Sequence, residues 1–506
     1  MIERAVQAHD AIIIGSGPTG GWCAKTLTAA GMNVLVLEAG TSWFGRRARD
    51  VMHRVRCRTG YRVEEDTRAL ARQWVQSSCY AWRDSPGAFV DDADNPYSTP
   101  EGRPFTWIRA RQVGGRMLVR NHGLHFYRLS DLDFKAARHD GFGADWPLSY
   151  AELRPFYDRV ERSMGLSGNG DGIAHLPDPI PGPPVALTPG EQHLATRIAE
   201  RWRDRRLIAR RTSLPPAPIQ DALATRRLEL RHSAVAREIL IDPGTGRPRG
   251  VAWLEDGRQR EASARVIVLA ASTIESTRLL LNSRSRHHPE GLGNSSGMLG
   301  RCLMDHTYLA ACEGTLPPYV EADAKAYSWG YIPQFRNVQE RSPGFLRGYG
   351  VQVFTLGRYC QLWAFGEMLP RETNRVTIDP EIKDRWGIPA VRIECEHSDN
   401  ERAQIADAVD QCREMLAAAG CEIHATEPVV RPPGTAIHEV GTARMGHDPR
   451  TSVLDPHNRC WDADNLFVVD GACFASQGPQ NPTLTMMALA LRASEHIVKL
   501  LRRYEL

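Results

Sequence analysis

The sequence lacks any Cys-x-x-Cys pair, so its eleven scattered cysteines carry no spacing suited to zinc, an iron–sulfur cluster or c-type haem. Reduced, structural thiols are expected. No apolar run approaches the roughly 20 residues that a membrane helix needs, and the N-terminus has no charged, apolar or twin-arginine leader pattern before a strand begins near Asp10. A soluble cytoplasmic protein is expected from those absences. Charge of one sign is also scarce. With 63 basic against 60 acidic residues the net charge is only +3, which excludes the field that draws nucleic acid or an anionic membrane. The arginine cluster Arg201–Arg211 reads as a solvated helix face.

What is present is a folded chain of 506 residues, long enough for two domains, with 42% hydrophobic residues and many Gly and Pro turns. Asp10–Ile14 is a short apolar run, followed by Gly15-Ser-Gly-Pro-Thr-Gly20, a helical stretch over Gly21–Ala30, a terminating Gly31 and a second apolar run at Val34–Leu37. This is a βαβ unit carrying Gly15-x-Gly17-x-x-Gly20. Such glycines allow a tight turn, close approach of a pyrophosphate, and close helix–strand packing, while Glu38 is placed to accept from ribose hydroxyls. The helix N-terminus then faces the phosphates.

From Leu228 the chain turns β-rich, with Leu228–Ile241, Gly250–Leu254 and Arg265–Ala270 reading as a meander that returns to a buried parallel strand. A second region, Ala310–Glu439, mixes strands at Tyr349–Leu356, Val376–Ile378 and Ala390–Cys395 with an amphipathic helix at Glu401–Ala418. The chain closes with a strand at Leu466–Asp470 and a long apolar helix at Thr483–Leu501. Pro177–Pro184 and Pro215–Pro218 read as linkers or exposed loops.

The glycine fingerprint alone does not separate FAD from NAD. Glu38-Ala-Gly40, Val113-Gly-Gly-Arg116 and Phe467-Val-Val-Asp-Gly471 stand in the order of flavoproteins that hold an extended FAD. Together with Ala270–Leu281 (AASTIESTRLLL, preceded by a strand), Gly300-Arg-Cys-Leu-Met-Asp-His306, His438-Glu-Val-Gly-Thr-Ala-Arg-Met-Gly446 and Asn481-Pro-Thr-Leu-Thr-Met486, the sequence resembles the glucose–methanol–choline oxidoreductase family from Asp10 to its end. Within it, the chain is similar to the pyranose-oxidase-like branch that includes bacterial glycoside 3-oxidases.

The resemblance implies an α/β fold: a Rossmann-like FAD-binding domain over residues 1–130, 225–310 and 440–506, and a discontinuous substrate-binding domain over 131–224 and 311–439, built on a β-sheet covered by helices. It implies a catalytic pair, His438 and Asn481. A histidine suits proton removal near neutrality, and an amide can orient the same hydroxyl while a hydride passes to flavin N5. It also implies FAD contacts at Gly15, Gly17, Gly20, Glu38, Gly114, Gly115, Arg116, Val235, Ala271, Asp470, Gly471, Asn481, Pro482 and Thr483. His306 is either a functional member of its motif or a residue packing beside the cofactor.

The sequence departs from fungal pyranose oxidases after the Gly-Gly pair. Their Ser-Thr-His-Trp carries covalent FAD, whereas here Val119 stands in place of that His and Arg120 in place of the Trp. Non-covalent FAD is expected. Trp329, Tyr331, Gln352, Phe354, Trp363 and Phe365 offer stacking and amide groups for a sugar. The expected reaction turns a secondary ring hydroxyl of a sugar or glycoside into a ketone. Dioxygen or another acceptor then takes the electrons. The alternatives are a primary alcohol of an aminoglycoside-type natural product, or a non-catalytic FAD-binding scaffold.

Overall fold

The structure, a computed structural model, describes residues 3–42, 67, 70–119, 125–214, 217–321, 327–341, 344–425 and 430–506. The strands of its first sheet are β1 (Glu3–Ile14), β2 (Val34–Glu38), β4 (Leu228–His232), β5 (Val235–Ile241), β6 (Pro248–Glu255), β7 (Arg258–Leu269), β15 (Arg459–Cys460) and β16 (Ala463–Val468). Their order is β15-β16-β7-β1-β2-β4, with the β5–β6 hairpin continuing from β7. Ala11–Ile14, Val34–Leu37 and Val266–Leu269 are all buried, the continuous apolar pattern of parallel strands covered on both faces. The fold is mixed α/β with a Rossmann-like first part.

Helix α1 (Pro18–Ala29) connects β1 to β2. It starts three residues before the expected Gly21, because Pro18 occupies its first turn, where a missing N–H costs nothing. The expected strand Leu228–Ile241 is two strands. Ser233, at φ 55, breaks it, so β4 pairs parallel with β2 while β5 turns back antiparallel to β6. That break matters for the site, since Ser233 N donates to Gly40 O and Ala234 N to Glu38 O, bringing Val235 to the end of β2.

The second sheet runs β14-β8-β11-β10-β9-β3, comprising β3 (Ile208–Ala209), β8 (Thr307–Thr315), β9 (Tyr327–Ile332), β10 (Tyr349–Leu356), β11 (Tyr359–Gly366) and β14 (Glu422–Ala425), antiparallel throughout. One face carries Ile332, Val351, Val353, Leu362 and Ala364 into a core shared with α3 (Pro189–Arg201) and α6 (Asp399–Ala418). The ribbon β12 (Arg375–Lys383)–β13 (Pro389–Glu394) packs instead against α5 (Thr273–Asn282). Val376, Val391 and Ile393 thereby join the first core, as do Phe134, Trp146 and Tyr157 around α2 (Tyr150–Met164). Residues 131–164 and 375–394, expected in the substrate-binding part, thus place side chains in the core of the cofactor part. Besides two single-turn helices at Asp131–Phe134 and Ala136–Asp140, the chain has α4 (Pro218–Ala224) and α7 (Thr483–Arg502); α7 lies on α1, where the Cys23 thiol meets the Ala490 carbonyl.

Among the described residues, ten cysteines are free and no His/Cys/Asp/Glu cluster suits a metal. No described helix is long and apolar enough to cross a membrane.

Candidate active site

A cleft with about 1800 Å³ of empty space, open solvent included, runs past the ends of β1, β2 and β7 to the first turn of α7. Its floor is set by glycines. Gly15 has φ +100, and a Cβ there would meet the Ala270 carbonyl oxygen at 2.2 Å. Gly115 has φ +74, and a Cβ would lie 2.7 Å from the Gly17 Cα, so the two glycine turns close against each other. Gly17 is the N-cap of α1 and offers no side-chain cap, which leaves the first amides and the positive helix end to a ligand.

Glu38 ends β2 beneath this cradle. Its Oε2 accepts from Ser16 N at 3.1 Å and Ser16 Oγ at 2.6 Å, and its Oε1 accepts from Gly40 N at 2.7 Å. Burial pushes its pKa up, against the pull of those hydrogen bonds. The Ser16 hydroxyl in turn accepts from Gly114 N at 3.0 Å, which ties the fingerprint turn to the Gly-Gly turn.

Of the residues the sequence assigns to the cofactor, Gly15, Gly17, Glu38, Gly115, Arg116, Val235, Ala271, Asp470, Gly471, Asn481, Pro482 and Thr483 line the cleft. Gly20 and Gly114 do not. Gly20 serves packing, since a Cβ there would meet the Gly15 oxygen at 2.0 Å, and Gly114 is used through its amide. Asp470 is buried, and that burial lifts its pKa to about 6 against the Ser276 hydrogen bond. The cleft wall also holds Arg109, Arg111 and Glu275, which the motifs did not single out. Burial would raise Glu275, but Arg111 at 2.7 Å, with Arg278 and Arg109, outweighs it and holds the pKa at about 2. Glu275 sat inside a recognised motif; the two arginines carried no signal beyond their charge.

The far end of the cleft brings together residues from four parts of the chain. Asp305, fully buried, accepts from Gly434 N at 2.7 Å, Ala436 N at 3.1 Å and His438 N at 2.8 Å. The loop before His438 is thereby wound around one carboxylate. Burial and the neighbouring Glu439 push Asp305 up; the three amides oppose them. His438 Nε2 lies 3.0 Å from Asn481 Nδ2, and its Nδ1 lies 2.9 Å from His306 Nδ1. His306 Nε2 donates to the Gly478 carbonyl at 2.7 Å, and Asn481 Oδ1 accepts from Gln352 Nε2 at 3.1 Å. Burial depresses His306 to about 4, against the Gly478 bond that favours its proton. The expected pair therefore meets, and His306 lies in direct contact with His438.

The helix-free face of the second sheet closes over this corner. Register pairs Gln352 with Tyr331 and Trp363, and Phe354 with Trp329, so the sequence-assigned residues share one face. None of the six lines the cleft itself. Gln352 and Phe365 reach the His438–Asn481 corner; Trp329 packs on His125 and Phe354, and Tyr331 is buried in a stack on Tyr127 with centroids 4.1 Å apart. Phe365 packs on both His438 and His306. Val119 is buried among apolar residues of a small separate core, while Arg120 and His122 lie outside the described residues.

Comparison with known proteins agrees with this layout. GMC oxidoreductase models match residues 189–308 and 370–490, and a NAD(P)-binding Rossmann-like model matches residues 13–74. The chain is 30% identical to a 2-methyl-1,2-propanediol dehydrogenase of Mycolicibacterium austroafricanum, covering 96% of this chain and 95% of the relative. It is 28% identical to a 6'''-hydroxyparomomycin C oxidase of Streptomyces lividus, over 97% and 92%. Identity to a C-glycoside 3-oxidase of Arthrobacter globiformis is 23%, over 98% and 96%. Among solved structures, pyridoxine 4-oxidase from Mesorbium loti matches with a TM-score of 0.63 at 19% identity, covering 96% and 98%.

Proposed function

The chain belongs to the GMC oxidoreductase family and is an enzyme acting on the CH–OH group of alcohols; from that premise we propose that it oxidises a secondary ring hydroxyl of a neutral sugar or glycoside to a ketone, with His438 as the base. The observation that carries this reading is the 3.0 Å approach of His438 Nε2 and Asn481 Nδ2 at the end of the glycine-lined cleft. The cleft fits FAD: two uncapped helix N-termini, of α1 and α7, face it, and the glycines leave backbone where a Cβ would stand. The cofactor supplies the two-electron acceptor. The chain supplies the rest. His438 Nε2 takes the hydroxyl proton as the alcohol carbon is oxidised, Asn481 Nδ2 holds the oxygen, and the positive end of α7 favours negative charge beside them.

A neutral substrate is supported by the roof. Trp329, Gln352, Phe354, Trp363 and Phe365 are aromatic or amide, and the Glu313 carboxylate on the same face is engaged by Gln361 Nε2 at 2.7 Å. The similarity to a C-glycoside 3-oxidase supports a ring ketone; that to the paromomycin oxidase supports the alternative of a primary alcohol.

The test is an anaerobic screen of glycosides, polyols and aminoglycosides for bleaching of the flavin-loaded protein, with product identified by NMR and peroxide measured after oxygen is admitted. A ketosugar is expected. An aldehyde from an aminoglycoside would favour the alternative, and no bleaching by any alcohol would favour a non-catalytic scaffold. His438→Ala is expected to retain flavin and lose roughly a hundredfold or more in the bleaching rate.

A further inference from the structure

Five groups around His438 form one continuous chain: the Gly478 carbonyl, His306, His438, Asn481 and Gln352. Hydrogen positions in such a chain follow from its partners. The Gly478 carbonyl only accepts, so His306 Nε2 carries a proton. Two Nδ1 atoms 2.9 Å apart share one proton between them. A neutral His306 has already used its single N–H toward Gly478, so its Nδ1 is a lone pair and the shared proton sits on His438 Nδ1. At the other end, Gln352 Nε2 donates to Asn481 Oδ1, which turns the Asn481 amide nitrogen toward His438 Nε2. An amide nitrogen donates only, so it too requires a lone pair at His438 Nε2.

Both ends of the chain therefore demand the same proton arrangement. We infer that His306, anchored on the Gly478 carbonyl, is a positioning residue that locks neutral His438 in its Nδ1–H tautomer and so leaves Nε2 unprotonated, its lone pair passing from the Asn481 N–H to the substrate hydroxyl when substrate binds. This rests on the reading of His438 as the base. In the step itself the substrate O–H bond breaks, an N–H bond forms at His438 Nε2, and the resulting imidazolium keeps its Nδ1–H bond to the His306 lone pair. Burial serves the arrangement, since it holds His306 neutral down to a pKa of about 4. A cationic His306 would reverse the shared bond, place a proton on His438 Nε2 and set it against the Asn481 donor.

Native flavin-loaded protein labelled with ¹⁵N-histidine gives the direct test. Long-range ¹H–¹⁵N spectra are expected to show an Nδ1–H pattern for His438 and an Nε2–H pattern for His306, assigned by loss of each signal in His438→Gln and His306→Asn. The opposite tautomers would overturn the inference without any variant having to be active. In anaerobic flavin reduction, His306→Leu removes the acceptor and is expected to slow the plateau rate on the order of tenfold or more, with substrate affinity changed less than about threefold. His306→Asn, whose Oδ1 stands near the position of Nδ1, is expected to restore most of that rate. An unchanged rate in His306→Leu, or no recovery in His306→Asn, would sink the tautomer lock. If instead His438→Ala still bleaches the flavin, it is the base assignment that fails.

Discussion

At the residue scale the site works by fixing hydrogen-bond direction. Gln352 is the clearest case, because its Nε2 donates to Asn481 Oδ1 and holds the Asn481 amide in one of its two flips, nitrogen toward His438. Gln352→Leu frees that flip and is expected to slow flavin reduction about three- to tenfold, a loss of the order of one neutral hydrogen bond; an unchanged rate would remove Gln352 from the chain. A second residue-scale consequence concerns Asp133, buried beside Glu367 and Arg347. Burial lifts its pKa to about 7, with the Ser130 hydrogen bonds opposing and Glu367 adding. A carboxyl raised in the folded state contributes its stability below the unfolded value near 3.8 and loses it as pH climbs through about 7. The neutral Asp133→Asn is therefore expected to gain on the native protein between pH 4 and pH 8, by up to about 4 kcal/mol. Paired thermal melts at the two pH values check the sign: a stability difference that does not move with pH would contradict it.

At the element scale, function sits where elements end. β1 and β2 deliver Gly15 and Glu38, the break at Ser233 delivers Val235, and the turn into α7 delivers Asn481–Thr483. Gly115 is the tightest of these joints. A methyl group there falls 2.7 Å from the Gly17 Cα in a backbone region that disfavours any side chain, so Gly115→Ala must separate the two turns. It is expected to purify with less than about a tenth of the native flavin, while the far-ultraviolet circular dichroism stays native. Full flavin occupancy would show that the two turns need not touch. The strands and helices that deliver these groups were legible in sequence: β10 matches the expected strand residue for residue, and α7 begins at the expected Thr483. The break in Leu228–Ile241 was not, because a single positive-φ serine leaves no mark in the hydrophobic pattern.

At the scale of the whole molecule there are two main cores, one formed around the parallel sheet, beside the cleft, and one between the antiparallel sheet and helices α3 and α6, on the sheet face turned away from it. The second sheet spends one face on its helices and keeps the other for the site, which is why Trp329 and Tyr331, Gln352 and Phe354, and Trp363 and Phe365 stand two apart along β9, β10 and β11. We propose that the flavin between these layers is held without a covalent bond, since Val119 is buried among apolar side chains. Acid precipitation is then expected to leave the flavin in the supernatant; a yellow pellet would mean a covalent link through another residue. The sequence by itself determined the family and nominated the glycine cradle with His438 and Asn481, because each is written in local motifs whose backbone demands leave few other residues possible. Only the tertiary structure decided that His306 faces His438 and that Gln352 reaches Asn481, because those contacts join residues 132 and 129 positions apart, and hydrogen-bond direction exists only once both partners are in place.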